Sequence, residues 1–141
     1  MAFSWEGPKQ KSARPGPVST SPNYAANIPS PPQMKEITTA QFETEVLQSQ
    51  VPVLVDFYTE SCPTCRMMSP ILTEMEEDSA GAYKIVKVDA AANGQLAASF
   101  RVLAVPTFLL FNRGGAIGQI TGARSKKEMQ KWISESIAAA S

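Results

Sequence analysis

The apolar pattern predicts an α/β fold, a central mixed β-sheet flanked by helices on both faces, behind a Pro-rich N-terminal extension. Three observations carry this. Strongly β-forming apolar runs, at 51–58 and 105–111, alternate with stretches of helical period. The turn Asn112-Arg113-Gly114-Gly115 sends the second run straight back into another strand. Seven of the eleven prolines fall in residues 1–33, where no period of 2 or 3.6 is found.

The 1–34 segment carries scattered Ser, Asn, Gly and Gln beside Pro8, Pro15, Pro17, Pro22, Pro29, Pro31 and Pro32. Such a composition buries too little apolar surface to offset chain entropy, so a flexible, locally extended tail is expected. Phe3, Trp5 and Tyr24 leave open a docking arm for a partner. From 35 to 141 the chain reads as one globular domain. Glu36-Ile37-Thr38 suits a short strand, and Thr38 with Gln41 matches a capping box ahead of Phe42, Val46 and Leu47 at helical spacing. The run ending at Tyr58 is a buried central strand. A helix follows from near Cys62, burying Met68, Ile71, Leu72 and Met75, with Pro70 kinking it near its middle. Residues 83–88 form another strand, and Asn93 caps a short helix through Leu96 and Phe100. The strand 105–111 and its hairpin partner 116–121 come next. Ser125 and Glu128 make a second capping box, before a helix with Met129, Trp132, Ile133 and Ile137 on one face. Strands joined through helices should pair parallel and the hairpin antiparallel.

Composition narrows function. Thirteen basic and thirteen acidic side chains balance, which gives no reason to expect nucleic acid or an anionic membrane as partner. No apolar run approaches the ~20 residues of a membrane helix. No secretory leader is read, so the default compartment is cytoplasmic; the Ser- and Pro-containing start leaves organellar targeting open. With no histidine, His-based catalysis falls away, and two cysteines cannot fill the four positions zinc normally takes.

Those two cysteines stand three apart, in Cys62-Pro63-Thr64-Cys65. A bridge closing so small a loop contributes little stability, so the pair reads as chemical. At a helix N-terminus, unpaired N–H groups and the dipole favour the thiolate, the nucleophilic form. Cys62 is then the attacking thiol. Cys65, one turn on and facing inward, can attack a mixed disulfide formed at Cys62. Asp56 lies within the apolar strand run, six residues before Cys62. Burial should raise its affinity for a proton, which makes it a candidate acceptor for the Cys65 proton. A solvent-facing strand-edge carboxylate is the plainer alternative. Lys87, in an apolar strand, could pair with Asp56 or point to solvent. Pro106 marks a strand start or edge, and a cis Val105–Pro106 bond would suit a tight bend there.

The order and spacing of Val55-Asp56-Phe57, Cys62-x-x-Cys65, Pro70-Ile71-Leu72, Lys87-Val88-Asp89, Val105-Pro106-Thr107-Phe108 and Gly122-Ala123 together resemble the thioredoxin family over roughly three quarters of the chain. The resemblance implies a thioredoxin fold and a role for each matching residue. Cys62 matches the exposed nucleophile, Cys65 the resolving thiol, Asp56 the buried acid and Lys87 its neighbour. Pro106 matches the cis-proline facing the disulfide, where the Val105 backbone would pair with an extended substrate. Gly122 matches the glycine of the substrate groove, with Ala104 and Ala123 beside it as apolar contact surface. Ser61, Pro63 and Thr64 complete the substrate-facing rim. No cofactor or metal is implied. The implied partners are disulfide-bearing proteins and an external thioredoxin reductase, NADPH- or ferredoxin-dependent, and the protein is expected to be a monomer.

The chain also departs from the family pattern. Ser61 and Tyr58 stand where the family carries Trp, and Pro63-Thr64 replaces Gly-Pro. Pro63 suits the first helical turn but removes one N–H donor near Cys62, which the Thr64 hydroxyl could replace. The leading expectation is a protein-disulfide reductase. An oxidase or isomerase of protein disulfides, and a binding adaptor or chaperone with little turnover, remain as alternatives.

Overall fold

The computed structural model describes residues 34–140. The expected flexible tail lies outside the described residues, apart from Met34, which is buried. Five strands form one sheet in the order β1-β3-β2-β4-β5. They are β1 Lys35–Glu36, β2 Val53–Tyr58, β3 Lys84–Asp89, β4 Thr107–Asn112 and β5 Gly115–Thr121. β3 pairs parallel with both β1 and β2, whereas β4 pairs antiparallel with β2 and β5. The mixed sheet expected from the sequence is therefore present. Helix α1 spans Thr39–Phe42 and runs on as a π-helical turn, Glu43–Leu47; α2 is Pro63–Ser79, α3 Gly94–Ser99 and α4 Lys126–Ala140.

The period-2 alternation of each strand sorts its side chains onto two faces. Val53, Val55 and Phe57 of β2 join Val86, Val88, Leu109 and Phe111 under α1 and α3. There Phe42, Phe100 and Phe111 meet with ring centroids 5.3–5.5 Å apart, two of the three contacts edge-on. Leu54, Ile85, Phe108 and Leu110 point the other way, into a core with Met68, Leu72 and Met75 of α2 and Met129 and Ile133 of α4. The apolar period of α2 thus buries the stripe expected, except that Ile71 is only half buried at its edge.

Several local expectations are met by different means. The first strand ends at Glu36 rather than at Thr38: Ile37 still donates its N–H to the Lys87 carbonyl at 2.9 Å and is wholly buried. At Ser125 both halves of the capping box form. Glu128 N–H donates to Ser125 Oγ at 3.1 Å, and Ser125 N–H to Glu128 Oε1 at 3.0 Å. At Asn93 the expected cap is absent. Asn93 Oδ1 instead accepts from the Thr39 N–H and hydroxyl, both at 2.9 Å, and stitches the start of α1 to the loop before α3. A partner 54 residues away outcompetes the local one. α2 continues through Pro70, which has no N–H to give the Arg66 carbonyl. The hairpin turn puts Arg113 and Gly114 at φ 54° and 83°, positive at both central positions as a tight right-twisted hairpin requires.

Leu72 and Asn93 give a graded test of these contacts. Leu72→Ala empties a fully buried position and should cost about 2–5 kcal/mol. Asn93→Ala removes the one oxygen that accepts from two exposed donors of Thr39 and should cost about 1 kcal/mol. Urea unfolding monitored by circular dichroism measures both, and a larger loss at Asn93 than at Leu72 would contradict this packing.

Candidate active site

β2 delivers its last residues to the edge where α2 begins. Cys62 has extended backbone (φ −89°, ψ 108°) and serves as the N-cap of α2, its Sγ accepting the Cys65 N–H at 3.1 Å. Pro63 follows at the first helical turn, where its fixed φ suits the helix and a missing N–H costs nothing. The Cys62 N–H is held by the Thr59 carbonyl at 3.2 Å, and Arg66 Nη1 donates to the Glu60 carbonyl. The loop bearing Ser61 is thereby tied to the first turn of α2. Cys62 is half exposed, Ser61 and Pro63 are exposed, and Thr64 is half buried. No hydrogen bond joins the Thr64 hydroxyl to Cys62 among the described residues, so the donor lost with Pro63 is not replaced by it.

Cys65 lies one turn further on and is only 3% exposed. Burial pushes its thiol up to about 12, the hydrogen bond with Cys62 and the nearby Cys62 and Asp56 charges adding to this, while a backbone hydrogen bond from Thr59 opposes it. Both cysteines are free thiols in this structure.

Asp56 faces the same side of the sheet as Leu54, under α2, and is 2% exposed. Its Oδ1 is buried without a hydrogen-bond partner. Burial lifts its carboxyl from the ordinary 3.8 to about 7, and the Lys87 ammonium offsets part of that rise. Lys87 is its register partner on β3 and half buried, which sets aside the solvent-facing lysine. The direct pairing with Asp56 does not form either. No ion pair shorter than 4.0 Å joins them, and Lys87 Nζ lies 5.2 Å from the centre of the Tyr58 ring. Asp56, Cys65, Tyr58 and Lys87 line one cleft of about 320 Å³.

Opposite Cys62 stands the loop before β4. The Val105–Pro106 bond is cis, and the Val105 carbonyl lies 4.0 Å from Cys62 Sγ. Pro106 is buried and Ala104 exposed. Gly122 donates its N–H to the Pro106 carbonyl at 2.8 Å, with φ 96°, a conformation suited to glycine. Ala123 beside it is exposed. Two residues not anticipated from the sequence brace this loop. Thr107, wholly buried, donates its hydroxyl to the Ala104 carbonyl and lies 3.3 Å from the Thr121 hydroxyl. Arg124 donates to the Thr121 and Ala123 carbonyls at 3.2 and 3.1 Å. A lone Thr after a proline and an Arg in a loop carry no periodic signal, so only the sheet reveals their task.

The raised Asp56 carboxyl has a consequence for stability. The folded chain keeps this proton up to about pH 7, whereas the unfolded chain releases it near 3.8. Stability therefore falls as pH rises through that window, by about 4 kcal/mol at most, and levels off above it. Asp56→Asn should abolish this slope and raise stability at pH 8. Urea midpoints at pH 4, 6 and 8 test it, and a parent protein that gains stability across the window from this group would contradict it.

The Thioredoxin family model matches residues 33–135. The chain is 36% identical to a thioredoxin of Mycobacterium tuberculosis over 100 residues, 71% of this chain and 86% of that protein. It is 35% identical to a thioredoxin of Rickettsia bellii over 101 residues, 72% of this chain and 96% of that one. A bifunctional thioredoxin reductase/thioredoxin of Mycobacterium leprae matches at 35% identity over 100 residues, 71% of this chain and 22% of its own length. With this sheet, this Cys-x-x-Cys at a helix N-terminus and these matches, the chain belongs to the thioredoxin family.

Proposed function

We propose that the protein reduces disulfides in protein substrates, with Cys62 attacking and Cys65 resolving. The observation that carries this is the placing of the two sulfurs. Cys62 is accessible, caps α2 and accepts one N–H bond, while Cys65 is buried one turn behind it. The Cys62 thiolate attacks one sulfur of a substrate disulfide, forming a Cys62–substrate disulfide and expelling the other sulfur as a thiolate. Asp56, as carboxylate, accepts the Cys65 proton. The Cys65 thiolate then attacks Cys62 Sγ, releasing the second substrate thiolate and leaving a Cys62–Cys65 disulfide. Two electrons pass from the dithiol to the substrate.

Ser61, Pro63, Thr64, Ala104, Val105, Pro106, Gly122 and Ala123 frame the face presented to substrate. An extended segment would run along the Val105 backbone, as in strand addition. Among the described residues one N–H bond reaches Cys62 Sγ, which favours a reductase over an oxidase, since strongly oxidising dithiols owe their potential to a stabilised reduced form. An external thioredoxin reductase, NADPH- or ferredoxin-dependent, would return the disulfide to dithiol. The working compartment on this reading is the cytoplasm, where thiols are kept reduced. The working unit is the domain 35–141 as a monomer, and the chain serves there in electron transport and redox homeostasis. Among the described residues no helix is long and apolar enough to cross a membrane.

Two variants separate the steps. Cys62→Ser should abolish reduction of a disulfide-bonded protein substrate. Cys65→Ser should still attack and then stall as a one-to-one mixed disulfide, seen as a mass increase that dithiothreitol removes. Turnover by Cys62→Ser, or trapping through Cys65 in place of Cys62, would overturn the assignment, and a parent protein that neither reduces nor traps substrate would return the adaptor reading.

A further inference from the structure

β1, β3, β2 and β4 bring one residue each into a single row, Glu36, Lys87, Asp56 and Phe108, by the register of the ladders. Directly opposed residues share a face, so two carboxylates flank one ammonium on the side covered by α2. Tyr58 follows Asp56 by two and shares that face. Its hydroxyl donates to Glu36 Oε2 at 2.7 Å, and its ring lies under Lys87 Nζ at 5.2 Å. Burial and the Glu36 hydrogen bond hold that hydroxyl protonated, so it stays a donor across the working range of pH. The ring is thus pinned at its far end while its face meets the lysine.

No ion pair shorter than 4.0 Å joins Lys87 to Glu36 or to Asp56 among the described residues. The ammonium sits instead over the Tyr58 face, a contact that strengthens as water is excluded. A lysine without that contact would extend its flexible stem towards water or towards Glu36. We propose that Tyr58 is a positioning residue for the dithiol reaction: its ring, anchored to Glu36, holds Lys87 at the distance from which the ammonium acts on Asp56 beneath Cys65. The inference rests on Asp56 being the proton acceptor of the reductase reading.

Other charges face the same cleft and belong in any account of its titration. Glu36 comes from β1, Lys87 and Asp89 from β3, Glu60 from the loop after β2, and Cys65 and Arg66 from α2. β4 contributes only the apolar Phe108 to the row. Of these, Lys87 is the cation that eases ionisation of Asp56. Removing its support should therefore make Asp56 hold its proton to higher pH.

The test is the carboxyl 13C titration of Asp56 in the reduced full-length protein. Tyr58→Leu should move the midpoint up by about half a pH unit or more, and Lys87→Met by at least as much. The double variant should move it no further than Lys87→Met alone, because Tyr58 acts through the lysine. Tyr58→Phe keeps the ring, loses only the bond to Glu36, and should shift the midpoint less but in the same direction. An unchanged midpoint in Tyr58→Phe and Tyr58→Leu, a fall in either, or an undiminished Tyr58→Leu shift in the Lys87→Met background overturns the proposal. The titration needs no turnover. A parent without disulfide reductase activity would therefore sink the functional reading, while the positioning of Lys87 would be judged separately by the midpoints.

Discussion

Asp56 occupies a position that the surrounding core makes costly for a charge. Leu54, Phe108 and Met68 belong to the same buried face, and one carboxyl oxygen has no hydrogen-bond partner. An unsatisfied buried oxygen costs about 1–3 kcal/mol, more when ionised. Apolar residues of similar size would serve the fold better. The chain keeps a group that can be neutral or charged near pH 7 beside a thiol that burial holds protonated. On the proposed mechanism each side of that pair answers the other: a carboxylate that binds a proton readily is matched to a thiol that must lose one.

The rest of the architecture fixes where this pair can act. α2 needs its first turn at the sheet edge for Cys62 to cap it and for Cys65 to fall inward. Pro63 allows the turn without sacrificing a helical bond. The loop carrying Pro106 closes the other side, held by Thr107 from within and by Gly122 and Arg124 from β5 onward. Cys62 and the Val105 carbonyl thus meet where the C-terminal end of β2 lies beside the start of β4. The antiparallel pairing of those strands sets their separation.

Period and spacing made most of the frame legible. The apolar runs named β2 and β4, the Asn112-Arg113-Gly114-Gly115 turn named the hairpin, and Ser125 with Glu128 named the start of α4 as it forms. The cysteine pair was legible because two thiols three apart have little structural use. What the sequence hid was lateral register. Tyr58 and Glu36 are 22 residues apart and meet only because β3 lies between their strands. Lys87 was expected to pair with Asp56 or to face water, yet register sets it beside the carboxylate with its ammonium on an aromatic ring. Asn93 looked like a cap because its neighbours are helical. Its side chain serves α1 instead, a competition no local window contains.

The most direct measurement is equilibration of the protein in graded thiol–disulfide buffers, with free thiols counted by alkylation mass shift. The account predicts one reversible two-electron transition in which Cys62 and Cys65 gain and lose their labels together. Its potential should lie near the ~−270 mV of reducing thioredoxins rather than the ~−180 to −120 mV of isomerases and oxidants. Failure of the two cysteines to form a disulfide with each other at any buffer potential would contradict it.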